Sequence, residues 1–266
     1  MPELPEVETI KNAISKAIGL ASITDVIIKQ NHFREVMPDD FREKLVGAKI
    51  IKYERIAKYL VIHLSNGYAI IWHLGMSGRI KICEEMPEQL EKHDHVVIKT
   101  TNGILIYHDP RRFGLLTCCP SAKLREANCL KHTGIDPVTE KWDGTYLEQK
   151  FKNKKTPVKV ALLDQAIVAG IGNIYASEAL FAAGISPLRE AGSLKPKECQ
   201  KLAEAIKATL QKAIEAGGST LRDYRKPDGS EGYFQHLHCV YNKTGQQCPN
   251  CTCNIAITGG IKKIVQ

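Results

Sequence analysis

At 266 residues, with a formal charge of +8, 43% hydrophobic and 25% charged residues, the chain has the make-up of a soluble globular protein with core enough for one large domain or two ordinary ones. It excludes a membrane span, since no stretch approaches roughly 18 consecutive apolar residues. The nine cysteines, odd in number and scattered, fit a reducing cytosol better than a disulfide framework, and the acidic, proline-broken start excludes a secretory leader. The positive balance fits a polyanionic partner such as nucleic acid.

The first element in the chain is a helix. Pro5 suits its first turn, the early glutamates favour its dipole, and Gly19 can end it. β structure follows, with strands expected in "ASITDVIIKQ" and "GAKIIKYERI". "KYLVIHLSNGYAIIWHL" and "HVVIKTTNGILIYH" each place an Asn-Gly pair between apolar runs, which predicts two hairpins with type I′ turns at Asn66-Gly67 and Asn102-Gly103. Several short antiparallel strands imply a sandwich or barrel.

"HTGIDPVTEKWDGT" reads as a linker, and from about Thr145 the pattern turns helical. "VAGIGNIYASEALFAAG" reads as helix, glycine turn, helix. There Gly170 and Gly172 permit close backbone approach to a ligand, and Asn173 can cap the helix that follows. "KPKECQKLAEAIKATLQKAIEAGG" places Cys199, Leu202, Ile206, Leu210 and Ile214 on one stripe. The last forty or so residues hold turns, histidines and cysteines in a short β-like tail. The fold class expected is α+β and multidomain: an N-terminal antiparallel β-sandwich with a leading helix over 1–135, a linker over 136–150, a helical domain over 151–225, and a loop with a terminal hairpin over 226–266.

Chemistry begins at "MPELPEVETI". Proline is small enough for Met1 to be removed after synthesis, which would leave a secondary amine. An α-amino group ionises near pH 8, roughly two units below lysine, so a neutral fraction exists at physiological pH. Such an amine can attack a carbonyl-like carbon and form an iminium ion, an electron sink. Glu3 would stand beside that carbon as proton donor, and Glu6 one helical turn away.

This decapeptide resembles the start of bacterial formamidopyrimidine-DNA glycosylases. The resemblance continues through "RIAKYL", "WHLGMSG", "EKHDHV", "DPRRFG", "KKTPVKVALLDQ", "GIGNIYASEALFAAGISP", "GGSTLRDY" and "GYFQ", in order and over nearly the whole chain. The related endonuclease VIII branch typically begins Pro-Glu-Gly-Pro-Glu; Leu4 stands where its glycine would, which favours the purine-directed branch. The resemblance implies a helix–two-turn–helix DNA-binding element, excision of oxidised purines such as 8-oxoguanine from double-stranded DNA, and strand cleavage by β,δ-elimination. It implies Pro2 as nucleophile, Glu3 as general acid, Glu6 in support, and Lys58 on a phosphate near the lesion. An enzyme acting on a paired base must extrude it, and apolar wedges with an arginine can open the stack. Met76, Arg111 and Phe113 take that part by resemblance, with Arg111 reading the widowed cytosine. His73, His93, Lys155 and Asn173 fall on DNA-binding positions, Lys155 within the cluster Lys152, Lys154, Lys155, Lys159. "RKPDGSEGYF" resembles the family's cover over the extruded base.

The pattern breaks near the end. Cys248 and Cys251 form a zinc knuckle, yet a structural zinc site wants four ligands, and the family's second cysteine pair has no counterpart before Gln266. Cys253, Cys239, His236 or His238 are the remaining donors. The expectation is a zincless hairpin held by packing of Ile255, Ile257, Ile261 and Ile264. The family's hairpin arginine falls on Lys263 when counted from the knuckle, and on Ile261 when Gly259-Gly260 is matched. Lysine keeps the charge but loses the bidentate fork. Two other readings stand beside a bifunctional glycosylase and lyase: an oxidised-pyrimidine glycosylase of the endonuclease VIII type, and a catalytically silent protein that binds damaged DNA. A monomer in the bacterial cytoplasm, at the nucleoid and away from membranes, completes the expectation.

Overall fold

The computed structural model describes residues 1–220, 229–252 and 259–264. The chain divides into two compact units, Met1–His132 with Ile214–Tyr233, and Thr133–Ala213 with Phe234–Gln266.

In the first unit, helix α1 (Leu4–Ile18) buries Leu4, Val7, Ile10, Ile14 and Ile18 along one stripe, and Gly19 at φ 57° closes it. Strand β1 (Ile23–Ile28), short helix α2 (Phe41–Leu45) and strands β2 (Ile50–Ile56), β3 (Tyr59–Leu64), β4 (Tyr68–His73), β5 (Arg79–Cys83), β6 (Asp94–Thr100), β7 (Gly103–His108) and β8 (Leu115–Pro120) follow. They form two antiparallel four-stranded sheets, in the orders β1-β6-β7-β5 and β2-β3-β4-β8. Side chains two apart on each strand face the same way. Leu60, Ile62 and Leu64 of β3 therefore join Ile70 and Trp72 of β4, Leu105 and Tyr107 of β7, and the α1 stripe in one core. The Trp72 and Tyr107 rings meet edge-on at 5.2 Å. The opposite faces are covered as well: Val61, Ala69 and Ile71 pack under Leu124 and Leu130. Burial on both faces explains why "YLVIHL" reads as a nearly continuous apolar run rather than an alternating one.

Both expected hairpins form, but not with type I′ turns, because neither asparagine takes positive φ. In the first, Gly67 (φ 84°) donates its N–H to Leu64 O (3.1 Å), while Asn66 Nδ2 reaches Lys44 O (2.7 Å). In the second, Asn102 Nδ2 donates to Ile18 O (2.9 Å) and satisfies a carbonyl at the end of α1. Each asparagine is spent on a tertiary bond, and the glycine alone supplies the left-handed backbone.

The second unit holds α3 (Gly144–Phe151), α4 (Val158–Leu163), α5 (Asn173–Ala183) and α6 (Pro196–Glu215). The stretch 136–150, expected as a linker, is folded into this unit. Trp142 is buried with Nε1 donating to Pro137 O (3.1 Å), and Asp143 caps α3 by accepting the Thr145 N–H (2.9 Å). On α6 Cys199, Leu202, Ile206 and Leu210 are buried as expected, and Ala213 takes the last inward place that Ile214 was expected to fill. Residues 214–233, read from sequence as parts of the helical domain and the terminal hairpin, group with the first unit.

Candidate active site and DNA-binding elements

The start of α1 assembles the chemistry. Pro2, Glu3 and Glu6 are buried, with Glu3 at 3% and Glu6 at 1% exposure. Glu6 is held at both oxygens: Oε2 accepts the Glu3 N–H (2.8 Å) and Oε1 the Ser219 N–H (2.8 Å). The first bond is half of a capping box. The second explains why Gly218 is a glycine. It sits at φ 78°, and a Cβ there would lie 2.9 Å from Glu6 Oε1. Glu6 thus orients the Glu3 backbone, and the Glu3 carboxylate in turn accepts the Glu6 N–H, the other half of the box.

Lys58 sits in the two-residue loop between β2 and β3, where Ile56 pairs with Tyr59. It is 6% exposed, and burial lowers its pKa, opposed by the negative charges of Glu3 and Glu6. Its neighbour Ala57 holds φ 54°, which for a residue with a Cβ costs on the order of 1 kcal/mol and needs outside support. Arg55 supplies it, donating Nη1 to Ala57 O (3.2 Å) and Nε to Glu8 Oε2 (2.8 Å) from a side chain 1% exposed. Arg55 was not singled out from sequence, although it stands within the quoted "RIAKYL". Its Leu variant removes both bonds. We expect a loss of roughly 1–3 kcal/mol in denaturant unfolding and a fall of about tenfold in cleavage at abasic sites as Lys58 loses its place. Unchanged cleavage would show that the loop holds itself.

His73, which falls on a DNA-binding position by resemblance, lies inside the fold. It is buried, its Nδ1 accepts the Gly75 N–H (3.0 Å), and its ring lies 4.8 Å from that of Tyr59. Burial first, then the positive charges of Arg34, Lys58 and the chain N-terminus, push its pKa down to about 4. It is neutral at pH 7 and shapes the approach to the Met76 turn. Because the unfolded imidazole titrates near 6.5, the unfolded chain binds the extra proton between these values. The stability present above pH 6.5 should fall by roughly 3 kcal/mol as pH drops through 4. His73→Gln should flatten that part of a melting-temperature-against-pH curve, and an identical slope in the variant would contradict the assignment. His93 is half-buried, with its ring edge-on to His95 (6.0 Å) and His108 (5.9 Å).

Met76 and Phe113 project 42% and 48% exposed, and the Arg111 guanidinium lies 4.6 Å over the Phe113 ring. Large exposed apolar side chains on tight turns beside an arginine suit insertion into a base stack.

In the second unit, Gln165 organises the turn between α4 and α5. Its Oε1 accepts the Gly170 N–H (2.9 Å), and its Nε2 donates to Leu163 O and Ile171 O (both 2.9 Å). Asn173 does not cap α5, as sequence suggested. Gly172 is the cap residue, and Asn173 is the first helical residue, exposed at the end where backbone N–H groups point outward. Glu178 of α5 is buried and accepts the backbone N–H groups of Cys239 (2.8 Å), Val240 (3.0 Å) and Tyr241 (2.7 Å), which anchors the start of the terminal segment. Lys155 and Lys263 are exposed. Ile261 pairs through its backbone with Gly245 (2.8 Å) and Gln246 (2.9 Å).

Cys248 and Cys251 share a turn, the Cys251 N–H facing Cys248 O at 3.4 Å. Cys253, Ile255 and Ile257 lie outside the described residues. Among the described residues no third donor joins the two cysteines closely enough to share an ion. The described triad that does come together, Glu91, Asp94 and His108, encloses Lys81 Nζ, 2.7 Å from Glu91 and 2.9 Å from Asp94.

The chain matches the family model for the formamidopyrimidine-DNA glycosylase N-terminal domain over residues 1–116, and that for the formamidopyrimidine-DNA glycosylase H2TH domain over residues 133–225. The chain belongs to the formamidopyrimidine-DNA glycosylase family. The glycosylase of Rhodospirillum rubrum is 42% identical over 273 residues, covering 100% of this chain and 95% of the relative. The crystal structure of the Thermus thermophilus family member superposes with a TM-score of 0.84 at 36% identity, covering 94% of this chain and 91% of that one. A family structure in complex with DNA containing a carbocyclic 8-oxo-G gives 0.85 at 33% identity, covering 94% and 91%. Membership makes this a base-excision repair enzyme, a glycosylase for oxidised purines with an associated AP lyase activity, and makes the α4–α5 element its helix–two-turn–helix. The names of the relatives place it in the purine-directed branch expected from Leu4.

Proposed function

We propose that Pro2, freed of Met1, is the covalent catalyst and that 8-oxoguanine and formamidopyrimidines in duplex DNA are its substrates. The observation that carries this reading is the burial of Pro2, Glu3 and Lys58 together at the start of α1 and the β2–β3 loop. The Pro2 nitrogen bonds to C1′ of the extruded nucleotide. The glycosidic bond breaks with its electron pair, and the base leaves after taking up a proton. Glu3 protonates O4′ as the C1′–O4′ bond opens, which leaves an iminium ion. That cation acidifies C2′, whose proton passes to a neighbouring base. Burial lowers the Lys58 pKa, which favours its amine for that step. The 3′ phosphate leaves, a second elimination releases the 5′ phosphate, and water frees Pro2. The products are a free base, the unsaturated five-carbon aldehyde that water releases from Pro2, and a one-nucleotide gap with phosphate at both ends.

Met76, Arg111 and Phe113 open the stack in this reading. Lys155, the α5 N-terminus at Asn173, His93 and Lys263 contact the backbone. Residues 225–234, of which 225–228 lie outside the described residues, are assigned the cover over the extruded base. The protein acts as a monomer at the nucleoid. Borohydride treatment on an 8-oxoguanine duplex should weld protein to the nicked strand, while undamaged duplex should give no adduct. Cleavage without any trapped adduct would refute an imine pathway.

The hairpin works without zinc in this proposal. Elemental analysis of purified protein should find well under one zinc per chain, and chelators should leave cleavage unchanged. A stoichiometric metal whose removal abolishes binding would overturn it.

A further inference from the structure

Two turns carry the side chains assigned above to the stack, one with Met76 between β4 and β5, the other with Arg111 and Phe113 between β7 and β8. A single buried carboxylate joins them. Asp109 is 0% exposed. Its Oδ1 accepts the Ser77 hydroxyl of the first turn (2.7 Å), and its Oδ2 accepts the Gly114 N–H of the second (2.9 Å). Oδ2 also accepts the Tyr107 hydroxyl (3.1 Å), a phenol that burial keeps protonated and therefore donating. Ser77 closes the ring by accepting the Arg111 N–H at its Oγ (3.2 Å). The backbones touch as well: a Cβ at Gly75 would lie 2.4 Å from the Phe113 carbonyl carbon, and one at Gly114 1.7 Å from the Tyr107 hydroxyl.

We infer that Asp109 is a positioning residue that locks the Met76 turn and the Arg111–Phe113 turn into one rigid wedge, so that both enter the base stack as a unit. This rests on the wedge assignment of the proposed function. Prying a stack needs side chains whose backbone does not yield, and two turns hinged separately would each give way. A buried carboxylate with every oxygen bonded to these turns supplies that stiffness, since buried polar networks that are fully satisfied rigidify their surroundings.

The two rates should therefore separate. Asp109→Asn leaves one acceptor oxygen where there were two, so either the Ser77 hydroxyl or the Gly114 N–H loses the acceptor for its donated bond. Single-turnover excision of 8-oxoguanine from duplex should fall by about tenfold or more, and Ser77→Ala, which deletes only the cross-turn bond, by about threefold to tenfold. Cleavage of an abasic site in single-stranded DNA, which offers no stack to open, should stay near wild type in both. A 2-aminopurine placed beside a non-cleavable abasic analogue in duplex reads wedge entry without chemistry, and its fluorescence rise should shrink in both variants. If Asp109→Asn does not fold, Ser77→Ala carries the test alone. Equal losses on both substrates would mean a purely structural role, and an unchanged fluorescence rise would mean that the turns act independently; either result overturns the inference. A wild-type protein that gives the fluorescence rise but excises nothing would instead overturn the proposed function and leave the wedge intact.

Discussion

Protein that keeps Met1, or carries an uncleaved extension ahead of Pro2, is expected to excise no base and cut no strand above background. The reason is valence. With Met1 in place the Pro2 nitrogen is a tertiary amide, its lone pair delocalised into the carbonyl, and it can neither attack C1′ nor become an iminium ion. The loss should reach at least about 10³-fold, the scale seen when a covalent nucleophile is removed. DNA binding should survive far better, because Met76, Arg111 and Phe113 are untouched, which separates this effect from misfolding. Pro2→Gly restores an amine but not the ring that fixes its direction, and it should lose most cleavage. Full activity with Met1 demonstrably present would remove Pro2 from the chemistry.

Glu3→Gln should divide the two activities. It is nearly isosteric, and the backbone bond from residue 3 to Glu6 Oε2 remains. Base excision needs the sugar ring opened by a proton, and losing a positioned acid costs about 10²- to 10⁴-fold. An abasic site already exists partly as the open aldehyde, so cleavage there should drop much less. A second consequence follows from charge. The Glu3 carboxylate holds the Lys58 pKa up against burial, so its neutralisation should let Lys58 titrate lower and move the rising limb of the lyase pH profile, which follows Lys58 deprotonation, to lower pH. Equal losses in excision and abasic cleavage would instead make Glu3 a structural cap.

Much of this was legible before any coordinates. The α1 stripe, six of the eight antiparallel strands and the amphipathic α6 follow from periodicity and from the Asn-Gly, Gly and Pro punctuation, whereas β5 and β8 are not marked out. Pro2, Glu3 and Lys58 could be named because a nucleophile at a chain terminus and the motifs around it survive in one dimension. What stayed hidden was tertiary. The partners of Asn66 and Asn102 lie on other elements, so the turn type could not be read locally. His73 carries no sign of its burial in "WHLGMSG" and becomes a buried neutral acceptor only when β4 enters the sandwich. Arg55 and Asp109 sit inside quoted motifs, yet the bonds of Arg55 to Glu8 and of Asp109 to Ser77 join elements distant in sequence. Trp142 and Asp143 turned an apparent linker into folded structure through a single buried indole and a cap.

The account rests most directly on which atom holds the sugar. Borohydride-trapped complex, digested and sequenced by mass spectrometry, should place the deoxyribose fragment on the nitrogen of an N-terminal proline, with Met1 absent from every adducted peptide. A fragment found on Lys58 or any other lysine, with Pro2 unmodified, would contradict it.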